Sequence, residues 1–384
     1  MRRCGSLLLL LLLLLPVAAC FGGEGTLGGA CERDDDCGAD QTCSRSVCGL
    51  CDDGIAQAGE LCFDEAEAAV AQAPDVASLA RIDLNADGVA DIVWADSTGL
   101  GVALAMGEGF ELAPSRTLDV TAVWTGDADG DGVTDLVTRD AAGGANLWRV
   151  DAMGELVRAE LDLEPLRGLT LAVVRPEFGI VAAGAGTVTR VEDEGTTMAV
   201  DFDDDVTHLI AVDSVDTDGA PDVLAVVGRR RIVGIAATTE GFEAQPGHQF
   251  STDILDSDIL DVASVSWNGD AFGDVVVLFD RGAAEVWLSD GQGGFVEGPS
   301  AALSLNSAAV LAFDATADRQ PDLLGFGPQS DLRLAIGRGD AFDTSIVLDD
   351  GAWRWVSPSR VGVDRFVDLV VYDGTSFAVL QGTP

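Results

Sequence analysis

Two stretches of this chain space their carboxylates in a way that suits metal chemistry. They are Asp127-Ala128-Asp129-Gly130-Asp131-Gly132-Val133-Thr134-Asp135 and Asp83-Leu84-Asn85-Ala86-Asp87-Gly88-Val89-Ala90-Asp91. Both read D-x-[DN]-x-D-G-x-x-D, which puts an oxygen-bearing side chain at every second position. Asp83, Asn85, Asp87 and Asp91 with the Val89 carbonyl form one candidate ligand set; Asp127, Asp129, Asp131 and Asp135 with the Val133 carbonyl form the other. Each set converges on one ion only if the chain turns sharply, and Gly88 and Gly132 at position 6 allow a positive φ there. An all-oxygen, irregular set of this kind fits calcium, which accepts six to eight oxygens, better than magnesium with its strict octahedron. An EF-hand is excluded, because its loop needs a bidentate Glu at position 12, and Trp94 and Thr138 stand there.

Reduced versions of the same loop recur. Asp216, Asp218 and Asp222 surround Gly219 with Ser214 at position 1, and Asp314, Asp318 and Asp322 recur with Thr316 and Arg319 at positions 3 and 6. Two more copies have lost most ligands: Asn268, Asp270 and Asp274, and then Asp364 and Asp368, where Arg360 at position 1 opposes a cation. Calcium is therefore expected at the first two loops, and the sequence leaves the fourth and sixth open.

The elements that must position these loops read as strands. Each anchor aspartate at position 9 opens an apolar run, such as Asp222-Val-Leu-Ala-Val-Val or Asp274-Val-Val-Val-Leu-Phe, followed by Gly/Asp turns and alternating segments. The anchors at 91, 135, 222, 274, 322 and 368 are separated by 44, 87, 52, 48 and 46 residues. The gap of 87 hides a unit near residue 179, where Arg175-Pro176-Glu177-Phe178-Gly179 replaces the acidic loop. Seven units of four short strands predict an all-β, seven-bladed β-propeller. The last unit ends on its third strand at residues 377–381, and a segment at 63–70 stands where a fourth strand would, so an N-terminal strand is expected to close the ring.

Loop, period and unit number together resemble FG-GAP or VCBS repeats, the blades of the integrin α-chain N-terminal propeller and of many exported bacterial proteins. The resemblance covers residues 63–384 and implies calcium on one face of the ring, wherever the loop motif stands.

The N-terminal part reads as export and attachment. Residues 1–19 carry Arg2 and Arg3, nine consecutive leucines and a Val17-Ala18-Ala19 approach to Cys20. That apolar run is shorter than the ~20 residues of a membrane-spanning helix. The small residues before Cys20 resemble a bacterial lipobox, which implies cleavage there and lipidation of Cys20, with Phe21 pointing to the outer membrane. Residues 20–30 are a glycine-rich tether. Residues 31–62 hold Cys31, Cys37, Cys43, Cys48, Cys51 and Cys62, an even set expected to form three disulfides among 15 pairings. Cys48-x-x-Cys51 has no second CxxC or histidine pair to complete a zinc site. The spacing resembles cysteine-rich modules of myxobacterial surface proteins.

A net charge of −43, with no lysine, argues against nucleic acid and anionic lipid as partners. A protein or glycan partner at the cell surface fits better, with the membrane reached only through the anchor. No nucleophile motif, zinc-type histidine pair or phosphate loop is present, and His208 and His248 are the only histidines. A carboxylate pair for polysaccharide hydrolysis stays open among 65 acidic residues. Trp94, Trp124, Trp148, Trp267 and Trp287 fall inside strands, where aromatics pack between blades, and one of Trp353 and Trp355 is a candidate for exposure. Arg229-Arg230-Arg231 reads as a solvated hairpin turn. The expected function is a lipid-anchored, calcium-stabilised binding, adhesion or scaffolding propeller.

Overall fold

A computed structural model describes residues 76–383 apart from short segments, the longest at 192–196, 252–256 and 360–366, together with the short strands Thr42–Ser44, Val47–Gly49 and Cys62–Asp64. Cys20, the leader, the tether, Arg360 and Asp364 lie outside the described residues, as do the side chains of the six clustered cysteines. Within the cysteine-rich stretch, Thr42–Ser44 and Val47–Gly49 pair antiparallel, with Cys43 opposite Cys48 in register.

Seven four-stranded antiparallel sheets follow one another along the chain. In the first six, chain order is strand order: Ser78–Ile82 to Gly109–Arg116, Ala122–Gly126 to Leu156–Arg158, Leu171–Arg175 to Thr197–Asp201, Val206–Val212 to Gly241–Ser251, Ile259–Val265 to Phe295–Ala302, and Ala309–Phe313 to Ile346–Asp349. The seventh sheet takes Trp355–Ser359, Asp368–Tyr372 and Phe377–Thr383 from the C-terminal end and Cys62–Asp64 from the N-terminal side. First strands of successive blades pack against one another and line the axis. The protein is a seven-bladed β-propeller.

The second strand of each blade shows why the sequence folds this way. Asp222–Val227, Asp274–Phe279 and Asp322–Gly327 are buried at every residue, because both faces of a middle strand lie against neighbouring blades. A strand buried on both faces loses its alternation and reads as an unbroken apolar run. Burying each Val, Leu or Phe there contributes roughly 1.5–3 kcal/mol. Alternation returns in outer strands such as Thr197–Asp201, which meet solvent on one side.

The apolar interior is divided among the blade interfaces rather than pooled. One cluster joins blades 3 and 4 through Phe178, Val188, Val223 and Phe242; another joins blades 4 and 5 through Val215, Leu224, Val275 and Phe279. The interface between the last and first blades is of the same kind, with Ile92, Trp94 and Ala103 against Val370, Tyr372 and Phe377. Trp94 and Phe377 rings lie 5.4 Å apart, at the distance aromatic pairs favour. Arg81 adds a polar tie across the closure, donating to the Pro358 carbonyl and, at 3.2 Å, to Ser357 Oγ.

Ring closure follows the expected design with a shifted strand. Cys62, Phe63 and Asp64 pair with Thr383, Gly382 and Gln381. The closing strand therefore begins on the last cysteine of the cluster, one residue before the expected segment, and it is shorter.

Candidate metal loops on one face of the ring

Every acidic loop joins the first strand of a blade to its second, and all first strands run in one direction around the axis, so these loops share one face of the ring. In the second blade, Asp127, Asp129 and Asp135 each offer a carboxylate oxygen within 4.8 Å of the others. Among the described residues no other loop brings three carboxylates so close. The backbone turns at Gly130 and Gly132, with φ of +77° and +84°, and wraps around Asp127, whose oxygens accept from Gly130 N–H at 2.7 Å and Gly132 N–H at 2.9 Å. Asp129 accepts from Asp131 N–H at 3.2 Å and Asp131 from Val133 N–H at 2.8 Å. Asp131 is thus a turn cap here and stands outside the three-carboxylate group. Val133 itself is exposed.

The first loop repeats the wrap. Asp83 accepts from Gly88 N–H at 2.9 Å and Asp87 N–H at 3.2 Å, Asn85 accepts from Asp87 N–H, and Asp87 accepts from Val89 N–H at 2.7 Å. In the fourth loop Ser214 Oγ donates to the Asp216 carbonyl at 2.8 Å, and Asp216 and Asp218 cap the turn. The sixth loop keeps the wrap around Asp314 with Arg319 in the left-handed turn.

The anchor aspartates do something the sequence did not disclose. Asp91 is fully buried and accepts from Leu84 N–H and from Ala105 N–H, both at 2.8 Å. Asp274 does the same with Trp267 and Ser289, and Asp322 with Ala315 and Gly337. Asp135 and Asp222 hold the N–H groups of Ala128 and Val215. Each anchor clamps its loop; Asp91 and Asp274 also tie it to the third strand, and Asp322 ties it to Gly337 just beyond that strand. That duty explains why the anchor persists where the other candidate ligands are gone. Burial pushes these carboxyls up, Asp135 and Asp322 to about 6 and Asp222 to about 7, and the neighbouring loop carboxylates push the same way.

Arginines meet some loops and not others. Arg149, on the third strand of blade 2, lies 3.0 Å from Asp129 Oδ2. Arg338 lies 3.5 Å from Asp318 in the sixth loop, and Arg175 3.4 Å from Asp213 beside the fourth. No arginine among the described residues pairs with Asp83 or Asp87.

The donor set fits a hard divalent cation. It is all oxygen, and each carboxylate oxygen that accepts one N–H retains further lone-pair capacity. Three carboxylates crowded within 4.8 Å are the arrangement a cation relieves.

A cavity of about 360 Å³ opens among Arg81, Gly88, Ala90, Asp314, Pro358 and Ser359, between the first loop, the sixth loop and the closure. Among the described residues, Asp314 is the one carboxylate in its lining. Elsewhere, Arg230 and Arg229 pair with Asp258 at 2.8 and 3.7 Å, and Arg231 pairs with Asp203, so the basic cluster is engaged in ion pairs. Trp94 and Trp267 are buried, and Trp267 Nε1 donates across the blade interface to the Gly339 carbonyl at 2.7 Å. Trp124, Trp148, Trp287, Trp353 and Trp355 are half-buried, so neither member of the last pair stands out as an exposed platform.

The chain matches no protein-family model and no curated protein sequence. It is similar in fold to solved propellers. One is BBS1N in complex with ARL6DN, where the mercury-soaked crystal gives a TM-score of 0.60 at 11% identity over 84% of this chain and 97% of that one. The lead-soaked crystal of that complex gives 0.57 at 12% over the same shares. Saccharomyces cerevisiae Sqt1 gives 0.55 at 10%, over 83% of this chain and all of its own. At these identities the likeness is one of architecture.

Proposed function

We propose that this protein is a surface-displayed binding or scaffolding propeller of the FG-GAP/VCBS kind, lipid-anchored through Cys20 and stiffened by calcium in its first two acidic loops. The observation that carries the metal reading is the convergence of Asp127, Asp129 and Asp135 on a face where several blades present the same loop. The binding role draws on the broad shared loop face and on a propeller neighbour that was crystallised with a protein partner. A protein or glycan at the outer-membrane surface is the partner class, and nucleic acid is disfavoured by the net charge of −43. Hydrolysis of a polysaccharide, the alternative reading, needs two positioned carboxyls, and among the described residues the cavity at the closure offers Asp314.

Calcium bound to the folded state adds about 2.7 kcal/mol at a hundredfold excess over Kd. Chelation of the full chain is therefore expected to lower its melting temperature, and calcium to restore it where magnesium does so poorly. Asp131→Ala should remove much of the second loop's share, by opening the turn that holds Asp127 and Asp129, while Asp364→Ala should leave the response nearly intact. A melting curve indifferent to chelator and to millimolar calcium would remove the metal from this reading. Cys20→Ala tests the anchor: an unprocessed or released protein is expected, and a variant still membrane-bound through an acylated mature N-terminus would refute it. Pull-down and glycan-array screening identify the partner class.

A further inference from the structure

Arg149 sits where the loop face of blade 2 differs from that of blade 1. The residue fourteen places beyond the anchor aspartate is Ala105 in the first blade, and its N–H serves Asp91. In the second blade the same offset brings Arg149, whose guanidinium lies 3.0 Å from Asp129 Oδ2. One of the three clustered carboxylates of the second loop is therefore already paired with a positive charge supplied by the chain.

We propose that Arg149 is a tethered counter-cation of the second loop. It holds Asp129 when no divalent ion is bound and competes with the ion when one arrives. The first loop has no such rival among the described residues and is the tighter of the two calcium sites. The Arg149 side chain is 41% exposed, so its outer end reaches solvent, whereas Asp129, at 16%, is held in the loop by Asp131 N–H. An entering cation must break the Arg149–Asp129 pair and bear repulsion from a guanidinium nearby, both of which weaken binding. The inference rests on the calcium reading above and adds to it an order of affinities and the residue that sets it.

Calcium titration of the full chain by isothermal calorimetry, with Arg149→Met and Arg149→Lys beside the parent, tests this. Two classes of site are expected in the parent. Arg149→Met should tighten the weaker class about two- to fivefold, leave the tighter class unchanged, and lower the melting temperature in chelator because the counter-charge is lost. Arg149→Lys, a point charge without the fork geometry, should fall between. Asp87→Ala should abolish the tighter class alone. Calcium binding that Arg149→Met leaves unchanged or weakens overturns the counter-cation role while leaving the calcium reading standing. The absence of calcium binding in parent and variants alike overturns both.

Discussion

At position 6 of the sixth loop the backbone passes through a φ of +70° at Arg319, where the first, second and fourth loops place Gly88, Gly132 and Gly219 at +86°, +84° and +75°. A β-carbon in that region costs roughly 1–2 kcal/mol, part of which glycine returns through its freer unfolded chain. Arg319→Gly is therefore expected to stabilise the protein by about 0.5–1 kcal/mol, seen as a higher urea midpoint; a midpoint at or below the parent's would count against strain at this turn. Asp261 gives a second test on a single side chain. It spans two blades, accepting Val310 N–H and Val262 N–H at 2.9 Å, with His208 Nε2 3.9 Å away. Burial pushes its carboxyl from 3.8 up to about 6. The folded state thus keeps a proton that the unfolded chain releases, so this contribution is complete below pH ~4 and is lost as the pH rises through 6. Asp261→Asn, which cannot titrate, should remove on the order of 2 kcal/mol of the pH dependence between 4 and 7, and parallel stability profiles would exclude the effect. Residue types announced an acidic, cation-suited loop, but the anchors' second duty stayed hidden. The N–H groups they hold lie partly on the third strand or just past its end, fourteen or fifteen residues away, and nothing in an aspartate's neighbours in sequence reports such a partner.

For single elements, the loop and the strand it opens behave as one clamped unit. In the fifth blade Asp274 holds Trp267 N–H and Ser289 N–H at 2.9 Å from a fully buried position, whereas exposed Asp270 accepts only from within its own loop, from Phe272 N–H and Asn268 Nδ2. Removing the clamp strands two buried donors, and each unsatisfied donor costs about 1–3 kcal/mol. Asp274→Ala should therefore destabilise by roughly 2–4 kcal/mol, after allowance for the relief of a desolvated charge, while Asp270→Ala should stay within about 1 kcal/mol. Both costs should be the same with calcium or with chelator, since this loop lacks a side-chain carboxylate at positions 1 and 3. Equal losses from the two variants in denaturant titrations would remove the clamp from the account. The apolar second strands were plain in the sequence because burial on both faces leaves no polar gaps. Their packing partners were not: Gly101 lies directly opposite Trp94, and a β-carbon there would come within 2.0 Å of the indole. A glycine that makes room for a ring on the next strand looks, in sequence, like any turn glycine.

The whole molecule is a closed chain of interfaces, and its weakest link is set by topology. Spacing of the anchors disclosed the ring and its seven units because each blade must span the same distance from axis to rim, even where the third blade has replaced its loop with Arg175-Pro176-Glu177-Phe178. Spacing could not locate the closing strand exactly, since three residues carry too little pattern to fix a boundary, and Cys62 equally completes the cysteine cluster. Six blades are sewn by consecutive chain, whereas the seventh depends on Cys62, Phe63 and Asp64 pairing with Thr383, Gly382 and Gln381. Without that strand, Phe377–Thr383 becomes an outer edge with a row of unpaired backbone groups, which invites pairing with another copy. The interface of Trp94 and Phe377 and the Arg81 tie would still hold the two end blades together. Loss of the strand should therefore loosen the ring rather than unfold it. Two truncations separate the strand from everything before it: one starting at Cys62, which keeps the strand, and one starting at Ala66, which lacks it. The first should melt close to the parent, while the second should melt several degrees lower and self-associate in sedimentation at micromolar concentration. If both truncations melt together and remain monomeric, closure rests on the Trp94–Phe377 interface and the Arg81 tie, and the N-terminal strand contributes nothing to the ring.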